Sequence, residues 1–149
     1  MDLLVRQACE DDLDLIAPLF DAYRQFYKQP PDLPVARAFL LERFRNSESV
    51  VFVALARDSS ALGFTQLYPG FSSASARRII ILNDLFVTPE GRRRGVGRSL
   101  LEAAADFGRS AGAARLTLST ALDNSSAQAL YASAGWQRDH VFCVYTLPL

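Results

Sequence analysis

Leu82-Asn83-Asp84-Leu85-Phe86-Val87, continued through Thr88-Pro89-Glu90 into Gly91-Arg92-Arg93-Arg94-Gly95-Val96-Gly97-Arg98-Ser99, decides how this chain of 149 residues reads. From Ile79 to Val87 both alternating faces are apolar except at Asn83 and Asp84, the pattern of a strand buried inside a sheet. Thr88-Pro89-Glu90-Gly91 breaks that strand. From Gly95 to Ala111, Val96, Leu100, Ala104 and Phe107 recur at helical spacing, and Gly112 is a natural stop. A central strand therefore feeds a helix through a turn rich in glycine and arginine. The first turn of a helix has unpaired N–H groups and a partial positive charge. Gly95 and Gly97 remove side chains there, so an anion can approach the backbone, and Arg92, Arg93, Arg94 and Arg98 add charge. The chemistry is that of a pyrophosphate cradle. It is no Walker A loop, because Lys28 is the only lysine. It is no dinucleotide fingerprint either, because Leu100 stands where a third glycine is required.

Working outward, Leu3 to Ala8 reads as a strand. Glu10, Asp11, Asp12 and Asp14 mark a helix start, with the helix running to about Lys28 and a bend or break at Pro18. A second helix covers Val35 to Arg45. Val50 to Ala56 and Leu62 to Tyr68 form a hairpin, and Pro69 to Arg78 reads as a loop. On the far side, Arg115 to Thr120 is a strand and Asn124 to Ala134 a helix closed by Gly135. Trp136 to Arg138 and Val141 to Leu147 are the last strands. The expected order is β-α-α-β-β-β-α-β-α-β-β, a mixed α/β sheet (α+β) with helices on both faces and parallel pairing around the crossover helix. The length fits one domain covering 1–149.

Composition narrows the function. Half of the residues are apolar, and sixteen basic residues balance sixteen acidic ones. That excludes disorder and argues against a general electrostatic hold on nucleic acid or a membrane surface. Cys9, Cys143 and the single His140 are scattered, so neither a disulfide framework nor a metal centre is expected. No apolar run reaches membrane-spanning length, and a cytoplasmic protein is expected. Asn83 and Asp84 are adjacent on a strand and should point to opposite faces, so only one is expected to face a cleft. Tyr23, Phe26, Tyr27, Tyr68 and Phe71 flank the segments around the first helix and the third strand, and together suggest an aromatic wall for a small amine or amino acid.

About thirty residues beyond the arginine-rich turn comes Asn124-x-x-Ala127-x-x-x-Tyr131-x-x-x-Gly135-Trp136. With Arg92-x-x-Gly95-x-Gly97 before it, the sequence resembles the GNAT superfamily of N-acetyltransferases from Leu3 to Leu147. The resemblance implies an acetyl-CoA-dependent N-acetyltransferase without a metal. It implies that the segment Arg92 to Arg98 holds the pyrophosphate through backbone N–H groups, with Arg93, Arg94, Gly95, Val96 and Gly97 inside it. Leu85, Phe86 and Val87 would pair with the pantetheine arm, in a slot where the sheet splays between the strands at 79–87 and 115–120. Asn124 would hydrogen-bond the cofactor, and Tyr131 would protonate the departing sulfur as general acid. The strand 82–87 looks like that of the polyamine acetyltransferases, which carry an acidic residue where Asn83 stands. The chain is also similar to relatives acting on histone tails, polyamines or D-amino acids. A small primary amine is the expected acceptor, and a homodimer is expected because the apolar C-terminal strand would be an exposed edge. Protein or peptide amines are the alternative acceptors, and a non-catalytic acetyl-CoA-binding module the alternative function. Asp84, another group or water is left open as the base.

Overall fold

The computed structural model describes residues 2–149, with strands β1 (Leu4–Gln7), β2 (Val50–Leu55), β3 (Ala61–Ser72), β4 (Arg77–Val87) and β5 (Leu116–Thr117), and helices α1 (Leu13–Phe26), α2 (Leu33–Arg45), α3 (Val96–Ser110) and α4 (Ser125–Ser133). The chain forms two compact units, one ending at Ser119 and the other spanning Thr120–Leu149.

The first unit is a five-stranded sheet in the order β1-β2-β3-β4-β5. Its first four strands pair antiparallel, and β4 pairs β5 in parallel. Alternation along β2 shows how both faces are covered. Val51, Val53 and Leu55 join Ile16, Phe20, Ala36 and Leu40 of α1 and α2 in one core, while Ala54 joins Val96 and Leu100 of α3 in another. Successive side chains on a strand point to opposite faces, so α1 and α2 cover one face and α3 the other. Pro18 sits inside α1, and the helix runs on past it without a break. Asp32 caps α2 by accepting from the N–H of Val35 at 3.1 Å, with a proline in the first turn, where a missing N–H costs nothing.

Three expectations change. The stretch Pro69 to Arg78 is not a loop: β3 runs to Ser72 and β4 starts at Arg77. The backbone pairing of Gly70 with Ile79 and of Ser72 with Arg77 extends the hairpin through it. Proline is tolerated in such a strand where its missing N–H faces away from the ladder. The strand expected at Arg115 to Thr120 is reduced to two residues. The strands expected at Trp136–Arg138 and Val141–Leu147 do not form; residues 136–149 take no regular structure. Val141, Phe142, Val144, Tyr145 and Leu147 are all more than four-fifths exposed. An apolar run becomes a strand only when its backbone finds a partner; apolar composition alone does not supply one.

Pairing between β4 and β5 stops early. Ile80 and Ile81 pair with Leu116 and Thr117, and residues 82–87 of β4 have no partner in β5. No helix among the described residues is long and apolar enough to cross a membrane.

Candidate active site

The end of β4 is held by β3 on one side and open on the other. Leu85, Phe86 and Val87 pair with Thr65, Phe64 and Gly63 of β3. The turn that follows is seated on the same strand. Thr88 N–H donates to the Leu62 carbonyl at 2.9 Å, and Gly91 N–H donates to Thr88 Oγ1 at 3.2 Å. A Cβ on Gly91 would lie 2.9 Å from the Leu62 carbonyl oxygen, so only glycine lets the turn lie this close. Arg92, Arg93 and Arg94 are exposed beyond it.

Gly95 then starts α3 in the left-handed region, with φ of 75°, and no side chain caps the helix. Nothing lies within 4 Å of where its Cβ would be. The space beside Gly95 at the start of α3 is thus open. Val96 turns inward and is buried, which fixes the direction of the helix. This is the geometry that accepts an anion through backbone donors.

A second feature lies upstream on β4. Gln66 pairs with Asp84 and Leu67 pairs with Leu82, so the register shifts and Asn83 is an extra residue in β4. Such a bulge re-aims side chains and is common beside active sites. The expectation that Asn83 and Asp84 point apart fails for this reason. Asn83 Nδ2 donates to Asp84 Oδ1 at 2.7 Å, and both residues line one cavity of about 310 Å³. That is at the low end of the roughly 300–1,000 Å³ of small-ligand clefts.

The cavity is built by four elements. Phe20, Tyr23 and Arg24 come from α1, Phe39 from α2, Tyr68 from β3, and Asn83 and Asp84 from β4. Asp84 is 1% exposed. Gln66 Nε2 donates to its Oδ2 at 2.7 Å, and Tyr23 Oη donates to the Asn83 carbonyl at 3.1 Å. Burial pushes the Asp84 carboxyl up to about 6, against hydrogen bonds from Asn83, Gln66 and Tyr23 that favour the charged form. Burial and the nearby Asp84 push the Tyr68 hydroxyl up to about 12, with Arg43 pulling the other way. A carboxyl that ionises near neutrality inside an apolar cavity is suited to general-base work.

Of the five aromatics expected to form a wall, Tyr23 and Tyr68 line the cavity. Tyr27 packs against Tyr23 with ring centroids 5.0 Å apart, and Phe26 against Tyr27 at 5.2 Å. Phe71 is exposed near the end of the β3–β4 hairpin, under the Arg78 guanidinium. Phe20, Phe39, Arg24 and Gln66 were not anticipated. Gln66 alone left a signal, as a polar residue inside the apolar run Leu62 to Tyr68.

Asn124 and Tyr131 lie in the second unit. Asn124 Oδ1 caps α4 by accepting from the Ala127 N–H at 3.2 Å. The Tyr131 ring lies 6.1 Å from that of Trp136, and its carbonyl accepts from the Trp136 N–H at 3.0 Å.

The sequence profile of the Acetyltransferase (GNAT) family matches residues 15–136. The chain belongs to the GNAT family. It is an acetyltransferase of that type. It is 49% identical over 143 residues to the uncharacterized N-acetyltransferase YhfO of Bacillus subtilis, covering 96% of this chain and 95% of that one. A solved structure of a probable acetyltransferase shares 45% identity with a TM-score of 0.93, covering 98% of this chain and 97% of its own. A solved structure of the aminoglycoside N-acetyltransferase AAC(6')-Iy in complex with CoA shares the fold, with a TM-score of 0.82 at 21% identity, covering 99% of this chain and 96% of its own. A GNAT fold with β4 unpaired beyond Ile81 on its β5 side and an uncapped helix start thus accounts for the first unit.

Proposed function

We propose that this acetyltransferase moves the acetyl group of acetyl-CoA onto the primary amine of a small molecule, with the amine seated in the cavity beside Asp84. The observation that carries this reading is the buried Asp84 carboxyl, placed by the bulge at Asn83 one residue before Leu85. Base and open strand edge are then consecutive on β4.

The residues present fit acetyl-CoA. The uncapped start of α3 and the empty space over Gly95 suit its pyrophosphate, held by the backbone from Arg92 to Arg98. The unpaired side of Leu85, Phe86 and Val87 suits the pantetheine arm, and Asn124 is a further contact. When bound, acetyl-CoA supplies an activated acetyl group and a thiolate leaving group. Asp84 takes a proton from the acceptor ammonium and so exposes the nitrogen lone pair. Asn83 and Gln66 hold the carboxylate in position for that transfer. With acetyl-CoA bound, Tyr131 Oη would supply the proton that the leaving sulfur takes, and the second proton shed by the acceptor nitrogen would pass to solvent and restore the phenol.

Both units serve one catalytic domain in this reading. The exposed apolar run from Val141 to Leu149 favours a homodimer, which light scattering at micromolar concentration tests directly; a monomer removes it. The main test is thiol release from acetyl-CoA against polyamines, aminoglycosides, amino acids of both hands and short peptides, with Tyr131→Phe alongside. Turnover of a small amine, slowed about tenfold or more in Tyr131→Phe, is the expected result. Turnover of peptides alone moves the acceptor to protein amines. Binding of acetyl-CoA with no turnover makes the chain a binding module.

A further inference from the structure

The charges lining the acceptor cavity are few and of opposite sign. Asp84 is the one carboxylate in its wall and Arg24 the one cation. The remaining lining residues are apolar, phenolic or amide side chains. Arg24 stands in the last turn of α1 and is half-buried, and its Nη1 is fully buried without a hydrogen-bond partner among the described residues. A guanidinium nitrogen stripped of water and left unpaired is costly. The aspartate and glutamate residues of α1 and α2 do not relieve it. Asp14 pairs with Arg37, Glu42 with Arg43, and Asp21 accepts from Gln25 and from the Asp32 N–H. Among the described residues Arg24 forms no ion pair, and its side chain lines the cavity, so a carboxylate arriving there would meet a guanidinium that no acid neutralises.

A polyamine or an aminoglycoside brings several positive charges. In this cavity they would meet a single carboxylate and a guanidinium of their own sign. A zwitterion matches both groups at once. On the proposed acetyl-transfer reading, on which this rests, we infer that the acceptor is an amino acid, with its carboxylate held by Arg24, its amine facing Asp84 and its side chain against Phe20, Phe39 and Tyr68. Guanidinium and carboxylate meet in a fork of two parallel hydrogen bonds, so Arg24 fixes the orientation of the acceptor as well as holding it. The volume of about 310 Å³ suits a single amino acid better than a molecule of several sugar rings.

The test compares each amino acid with the amine that lacks only its carboxylate, phenylalanine with phenethylamine and leucine with isopentylamine, in the thiol-release assay. The unaltered enzyme is expected to favour the amino acid in kcat/KM by about tenfold or more. In Arg24→Gln that ratio is expected to fall to near one, with the loss in the KM of the amino acid rather than in kcat. Arg24→Lys restores part of the ratio. Equal use of both compounds by the unaltered enzyme overturns the inference and leaves acetyl transfer standing, and this comparison needs no variant to fold. A preference that survives Arg24→Gln overturns the role of Arg24. Turnover of spermidine or kanamycin above every amino acid overturns the zwitterion. No turnover of any amine overturns the acetyl-transfer reading together with this one.

Discussion

The two halves of the candidate site are built from opposite materials. The turn from Arg92 to Gly95 is exposed, and what it offers is backbone: N–H groups at an uncapped helix start beside a glycine with positive φ. The cavity beside Asp84 is partly open, and what it offers is side chains from α1, α2, β3 and β4 around one buried carboxyl. A cradle of backbone donors recognises a phosphate wherever the chain takes that path, so its side chains can vary. A cavity of side chains recognises only the ligand that satisfies its particular charges. The first half therefore asks only for an anion, and the second for a ligand that matches its particular charges.

The sharpest way to break that division is at Asp84. Asp84→Asn is expected to lower kcat by about a hundredfold or more while leaving acetyl-CoA binding measurable by calorimetry. In the unaltered enzyme kcat/KM should rise with pH through an ionisation near 6, and the variant should lose that inflection. The same change is expected to alter stability in the other direction. The native carboxyl keeps its proton to about 6, whereas an unfolded one releases it at roughly 3.9. The fold therefore loses stability as pH rises between those values. Denaturant unfolding at about pH 8 and about pH 4 should show the variant escaping that loss. An unchanged kcat would leave the cavity without its base.

The co-substrate half is probed at Gly95. Gly95→Val forces a β-branched residue into the left-handed region and puts a side chain over the helix start. The KM for acetyl-CoA should rise by about tenfold while the KM of the acceptor changes little. A rise in both would mean that the two halves are coupled rather than separate.

The smallest effect sharpens the comparison from outside. Arg6 holds Asp12 with two hydrogen bonds of 2.8 Å, and the Cys9 N–H adds one of 2.9 Å. The Arg6 guanidinium keeps the Asp12 carboxyl down at about 2. Its stabilising effect is present above the unfolded carboxylate range and fades as pH falls toward 2. Asp12→Asn should cost about 1 kcal/mol of stability near neutrality, read by denaturant unfolding, and leave both KM values alone. A shifted KM would show that the anchoring of the α1 start reaches the cavity.

The contrast between the halves also explains what could be read from the sequence. The pyrophosphate turn is contiguous, and its glycines name their own purpose, so Gly95 and the start of α3 were legible. The unpaired side of Leu85 to Val87 was expected only through the family resemblance, not from the residues themselves. The cavity was not legible, because Phe20, Arg24, Phe39 and Tyr68 meet only after the two helices lie across the sheet. Asn83 and Asp84 were misread because strand alternation assumes no bulge, and one inserted residue cancels it. The C-terminal run was misread because apolar, β-branched composition marks what a segment can become, while pairing depends on an edge elsewhere. Pro69 erred in the other direction: one missing donor did not end the strand.

Gln66 has a consequence for the two charge states of Asp84. Its Nε2 donates to Asp84, while its Oε1 is buried without a partner among the described residues. That orientation suits a charged Asp84. Once Asp84 carries a proton, a half-turn of the amide brings the idle oxygen round to accept from the new O–H, with no movement of the backbone. The amide N–H groups then take the place the oxygen left, so one buried Gln66 group goes unmet in either state, at about 1–3 kcal/mol. Gln66 is thus a reversible partner that can serve the carboxylate and the carboxylic acid alike.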